Sequence, residues 1–264
     1  MMKTSLFIAL ALAPFVAGCV DAPPSPAARS ELAPTGTLRI AVFTGNPVIG
    51  TRSDTGEVAG TTVTIGRELA LQAGVDARII EYTAVAKLME DAKSGAWDIT
   101  VVAYDPARRN LIDYAPAHIA VDLTYLIAPG SAIRDVPDAD KAGVRIAAAR
   151  GAATALFLER SLKSASLMPA ENEPAAFNLI KEGKAQAYAQ NRYMLLGLAE
   201  KLPGARVLDD SFAVAELAIA LPKGRPAALA YVSNFVEQSK KSGSVERAIE
   251  AARLRGVRVA PAAR

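Results

Sequence analysis

One cysteine, one histidine and one tryptophan are all that a chain of 264 residues carries of each. A lone cysteine closes no internal disulfide. One histidine, with no cysteine pair and no spaced acid cluster, offers no metal site. Basic residues form no run longer than Arg108-Arg109 or Lys240-Lys241, and aromatics make up only 6% of the chain. The formal charge of +3 comes from 30 Lys and Arg scattered among 27 Asp and Glu, so there is no basic stripe for nucleic acid. A glycine-rich phosphate loop and a nucleophile elbow are also missing, and no cofactor is expected. The apolar run from Leu6 to Val16, broken by Pro14, falls short of the roughly 20 residues that span a bilayer.

What is present is a chain with 51% apolar and 22% charged residues, enough for a full core in one or two domains. Lys3, the apolar run and the small residues after it form an export signal over residues 1–18. Val16-Ala17-Gly18-Cys19 resembles a bacterial lipobox, which makes Cys19 a candidate lipidated first residue; simple cleavage leaving a free thiol is the alternative. Residues 19–35, rich in Pro, Ala and Ser without apolar periodicity, read as a flexible tether. The expectation is a membrane-tethered periplasmic body, with the leaflet open.

The stretch from Gly95 to Pro116 organises that body. A buried strand, Ile99 to Ala103, ends in Tyr104-Asp105-Pro106, where a capping acid followed by proline starts a helical turn carrying Arg108 and Arg109. A cation beside free backbone donors suits an anion such as a carboxylate. Upstream, Gly36 to Val42 reads as a strand and Phe43 to Val48 as a loop. A helix over 61–73 closes at Gly74, a strand follows at 77–82, and Val85, Leu88, Met89 and Ala92 form a helical stripe. This alternation predicts a mainly parallel sheet flanked by helices. The pattern restarts after a strand at 123–129. Strands at 144–148 and 185–189 alternate with helices at 154–162, 174–182 and 191–201, and Arg150-Gly151-Ala152 makes a tight turn. A strand at 213–221 returns the chain to the first half, and an amphipathic helix runs from Pro226 to Lys240. The expected architecture is α/β with two lobes, 36–127 plus 217–260 and 128–216, joined by two crossover strands. A ligand cleft is expected beyond the carboxyl ends of the strands.

Five blocks in order carry a resemblance: Leu38-Arg-Ile-Ala, Gly60-Thr-Thr-Val-Thr-Ile, Gly95-Ala-Trp-Asp-Ile, Asp105-Pro-Ala-Arg-Arg with Ile112-Asp-Tyr-Ala-Pro, and Gly143-Val-Arg-Ile-Ala with Arg150-Gly151. Over about residues 36–258 the body resembles the bacterial extracellular solute-binding proteins of family 3, receptors for ABC importers of polar amino acids and related small solutes. The resemblance implies a two-lobed type II binding-protein clamp. It also implies a small-molecule solute, an ABC permease as partner, and hinge closure by a monomer. It assigns carboxylate capture to Arg108, with Asp105 standing where threonine is usual and Ala103 where a hydroxyl often helps. Arg150, Gly151 and Ala152 occupy the second-lobe loop whose N–H groups face the same carboxylate; Arg150 either adds charge there or faces solvent. Asn191 stands where amino-acid receptors carry the acid for the ligand's ammonium, and Phe43 where some members place another. Phe43, Asn46 and Tyr104 are candidate pocket walls, against the alternative that they pack the loops. Without an acid in those two places, carboxylates and neutral polar solutes compete with amino acids as the ligand. The same clamp serves cyclohexadienyl dehydratases, so an enzyme remains the alternative, as does a lipoprotein sensor or scaffold with a disused pocket. His118 has no partner spacing that supports catalysis.

Overall fold

The computed structural model describes residues 23–254 and 256–262; the export signal assigned to 1–18 and Cys19 lie outside them. Ser25 accepts the Ala28 N–H and Pro26 follows it, so α1 (Pro26–Leu32) starts there. Ala28, Leu32 and Ala33 are buried, and Glu31 accepts the Ala228 N–H at 2.9 Å. This corrects the tether drawn over 19–35. Its second half is a helix docked on the body, because Leu32 supplies an apolar anchor that the proline-rich composition hides.

The chain then runs through β1 (Thr37–Phe43), a small hairpin of β2 (Thr51–Arg52) and β3 (Val58–Ala59), α2 (Thr61–Ala73), β4 (Asp76–Tyr82), α3 (Val85–Ala92) and β5 (Ile99–Ala103). A 3-10 turn over Pro106–Arg108 leads into β6 (Ile112–Ile127). Beyond it come α4 (Val136–Ala139), β7 (Arg145–Ala149), α5 (Ala153–Ser161), β8 (Ser166–Ala170), α6 (Glu173–Lys181), β9 (Ala187–Asn191), α7 (Arg192–Ala199) and β10 (Arg206–Val207). The chain returns along β11 (Ala213–Pro222) and closes with α8 (Pro226–Lys241), α9 (Ser244–Ala251) and β12 (Val257–Val259).

The main sheet has the order β4-β1-β5-β11-β6-β9-β7-β8. β1 pairs in parallel with β4 and β5, and β7 with β8 and β9. β5 is buried at every position, as a strand covered by helices on both faces must be. Two long antiparallel strands, β6 and β11, join the halves. β6 is one strand of 16 residues, where the sequence suggests an extended exit and a separate strand. Its buried side chains serve different cores along its length. Ile119, Val121 and Leu123 pack with residues from Leu32 to Leu254, whereas Tyr125, Leu126 and Ile127 pack with residues between Ile133 and Leu208. The cores therefore divide between Leu123 and Tyr125 and between Leu208 and Ala215, so Tyr125 to Ile127 pack with the second half.

One glycine fixes the loop after β1. Gly60 has φ 130, and a Cβ there would meet the Gly50 Cα at 2.7 Å. Only glycine allows the hairpin to lie flat on that loop and hold Asn46 and Ile49 toward the strand ends.

Candidate functional site

Two strand-to-helix turns meet between the cores. In the first, Asp105 accepts the Ala107 N–H at 2.8 Å and Pro106 starts the turn after β5. The turn swings Arg108 inward until only 6% of it is exposed. Its Nη1 donates to the Ala103 carbonyl at 3.0 Å, and its Nη2 to the Gly151 carbonyl at 2.6 Å. Gly151 lies in the second turn, before α5, with φ 72. Asp105 also pairs with Arg160 of α5 at 2.8 Å, so the first-lobe turn is fastened to the second lobe twice.

A cavity of about 50 Å³ lies between the turns. Among its walls are Phe43, Asn46, Ala103, Arg108, Ala152 and Asn191, all expected at the site. Gly151 joins them through the carbonyl that Arg108 holds. Tyr104 and Arg150 do not. Tyr104 is 41% exposed and stacks on Tyr114 outside the cleft, with the Arg109 guanidinium over its ring. Arg150 faces solvent, because the loop turns its side chain away while its N–H bonds the Ala170 carbonyl. Asn191 lines the cleft, but its Oδ1 caps α7 by accepting the Met194 N–H, and its amide nitrogen donates to Gln190. Its amide is a structural cap.

Among the wall residues that the sequence did not assign to the site, three are polar: Thr154, Glu173 and Gln190. Ala152 precedes α5 and offers it no side-chain cap, leaving the helix's first N–H groups open, and the buried Thr154 hydroxyl has no hydrogen-bond partner. Open N–H groups, a free hydroxyl and Arg108 together form an anion cradle. Glu173 is the first residue of α6, 7% exposed, and receives the Tyr188 hydroxyl at 2.5 Å. Burial lifts its carboxyl above the ordinary range, while hydrogen bonds from Tyr188 and Gln190 pull the other way.

A larger open groove of about 800 Å³ lies on the first-lobe side around Tyr104, Asp113, Tyr114, Glu216 and Lys223. Of its charges, Lys223 pairs with Asp113 at 2.8 Å and Arg109 lies over Tyr104, while the Glu216 carboxylate is exposed. The smaller cavity has walls from both lobes and the unpartnered Thr154 hydroxyl, and is the better candidate. His118 belongs to neither wall: it is buried in β6, and neither ring nitrogen has a hydrogen-bond partner.

The chain is similar to known binding proteins. The glutamine-binding protein of Geobacillus stearothermophilus is 25% identical over 197 residues, 67% of this chain and 73% of that one. The ABC transporter glutamine-binding protein of Bacillus subtilis (strain 168) is 21% identical over 210 residues, 74% of this chain and 77% of that one. Among solved structures, the solute receptor for L-cysteine of Neisseria gonorrhoeae superposes with a TM-score of 0.75 at 23% identity, covering 86% of this chain and 94% of that one. The fold is the two-lobed type II binding-protein clamp. With residues 38–251 matching that family, the chain belongs to the bacterial extracellular solute-binding proteins, family 3.

Proposed function

We propose that this chain is the receptor of an ABC importer and captures an amino acid or a related small carboxylate in the interlobe cleft. The observation that carries this reading is Arg108, a buried first-lobe guanidinium that reaches a second-lobe carbonyl inside a cavity walled by both lobes. A ligand carboxylate would replace the two carbonyls as a bidentate partner, which a planar guanidinium suits and an ammonium does not. Glutamine, the ligand in the relatives' names, lies within that class. A cavity of about 50 Å³ is far below the roughly 300 Å³ of an ordinary ligand site, so admission requires the lobes to part. Their joints are β6 and β11, the two antiparallel strands along which the chain passes between the halves.

In this reading the body is periplasmic and monomeric, docks on a permease when closed, and is held to the membrane by a lipid on Cys19. It performs no chemistry. The relatives are named as binding proteins, and incubation with prephenate or arogenate is expected to give no turnover. Calorimetry with a panel of amino acids and small acids tests the reading. Arg108→Ala is expected to weaken binding at least about 30-fold while leaving the circular dichroism unchanged. Undiminished affinity in that variant, or silence of the wild type across the panel, overturns it.

A further inference from the structure

The second lobe presents a feature that neither the family likeness nor the anion cradle explains. Glu173 lies 7% exposed in the wall of the cleft, yet none of the ion pairs among the described residues includes it. The other buried acids, Asp98 and Asp105, each hold an arginine at 2.8 Å. Tyr188 donates its hydroxyl to Glu173. Gln190 uses its carbonyl oxygen on the Asn191 backbone N–H at 2.8 Å and side-chain amide at 3.2 Å, which leaves its own amide group as a donor facing the carboxyl. These neutral donors orient the carboxyl and do not neutralise it. A buried carboxylate without a cation is costly, and a cation brought into the adjoining cavity would remove that cost.

We propose that Glu173 is the specificity-determining residue for a cationic nitrogen on the solute, so that the cleft selects amine-bearing carboxylates over simple acids and neutral polar solutes. The inference rests on the receptor reading above and sharpens its ligand class. The first lobe supplies the cation, Arg108, and the second supplies the anion. A zwitterion bridging the cleft satisfies both and holds the lobes together through each of its ends. The position emptied of charge at Asn191 is thereby served from α6, a neighbouring helix of the same lobe. Burial favours the protonated carboxyl in the empty cleft and an ammonium beside it favours the ionised one, so binding is accompanied by proton release from Glu173.

The test compares L-glutamine and L-arginine with their desamino counterparts on wild type, Glu173→Gln and Arg108→Ala, by titration calorimetry in two buffers of different ionisation heat. The expected result is that at least one amino acid binds wild type and that removing its amine weakens binding about 30-fold or more. Glu173→Gln should lose as much for the amino acid, change little for the desamino compound, and abolish the proton release; Arg108→Ala should weaken both compounds. Equal binding of an amino acid and its desamino counterpart by wild type overturns the proposal. So does a Glu173→Gln variant that binds the amino acid undiminished. Silence of wild type toward every compound sinks the receptor reading itself and this inference with it, whereas the first two outcomes leave that reading standing.

Discussion

Asp98 and Glu173 are both buried carboxylates, one in each half of the molecule, and they are treated in opposite ways. Asp98, at the start of β5, is fully buried and accepts the Arg39 N–H at 2.9 Å, two guanidinium bonds from Arg39, and one from Arg225 at 2.9 Å. It ties β1 to the start of α8, and its bond to Arg39 holds that guanidinium's pKa above the ordinary arginine value. Glu173 has hydroxyl and amide neighbours but no cation. The difference teaches that burial of an acid does not by itself mark a binding site. An acid whose partners come from the fold is part of the fold. One left incomplete beside a cavity waits on something that the fold does not contain.

The contrast can be broken most forcefully at Asp98. Asp98→Ala strands two arginine charges, and chemical denaturation should show a loss of about 3–5 kcal/mol; a loss below about 1 kcal/mol would make the two acids equivalent. His118 offers the next largest effect and extends the comparison to a base. Burial, aided by Lys240, pushes its pKa from 6.5 down to about 3. The unfolded chain therefore takes up a proton that the folded one refuses. Stability contributed by neutral His118 is fully present above pH 6.5 and falls as pH drops toward 3, by up to about 1.4 kcal/mol per unit. His118→Leu should flatten this decline, and an unchanged slope would show that other groups carry it.

Glu173→Gln should have a smaller effect of opposite sign on the empty protein. The folded carboxyl holds its proton more tightly than the unfolded one, so stability from Glu173 is fully present below about 4.5 and is lost as pH rises through the elevated folded value. The variant should therefore melt higher than wild type, with a gap of about 1 kcal/mol that opens as pH rises above 4.5 and closes below it. A variant less stable than wild type at neutral pH would place Glu173 with Asp98 as a structural acid. The smallest effect is expected at Arg160, whose side chain is half exposed where it meets Asp105. Arg160→Ala should cost at most about 1 kcal/mol in the same denaturation assay.

Much of the first half could be read from its residues, because local chemistry and tertiary packing agree there. Gly74 ends α2 in the left-handed conformation that its position suggests, and Asp105-Pro106 starts the turn that buries Arg108. Tyr104 misleads because an aromatic beside a binding turn invites a pocket role, while the alternation of β5 sends Ala103 inward and Tyr104 out. The second half yields less. β8 contains Pro169, which argues against a strand, yet β8 pairs only with β7 at the sheet edge, where proline is tolerated. With β8 unread, Glu173 looks like an ordinary acid in a first helical turn rather than a residue at the carboxyl end of a parallel strand, where such sheets place ligands. Thr154 is hidden for a related reason. Nothing in Ala152-Ala153-Thr154 says that α5 lacks a cap or that the hydroxyl points into a cleft.

The docking of α1 has a consequence for reach. A lipid on Cys19 would be joined to the folded body at Pro26, and seven residues of fully extended chain cover only about 25 Å. A free tether through residue 35 would have more than doubled that leash. The receptor would work in a thin layer above the bilayer, at a local concentration toward its permease set by geometry more than by expression level. Lengthening the segment before Ser25 would dilute that encounter without touching the cleft.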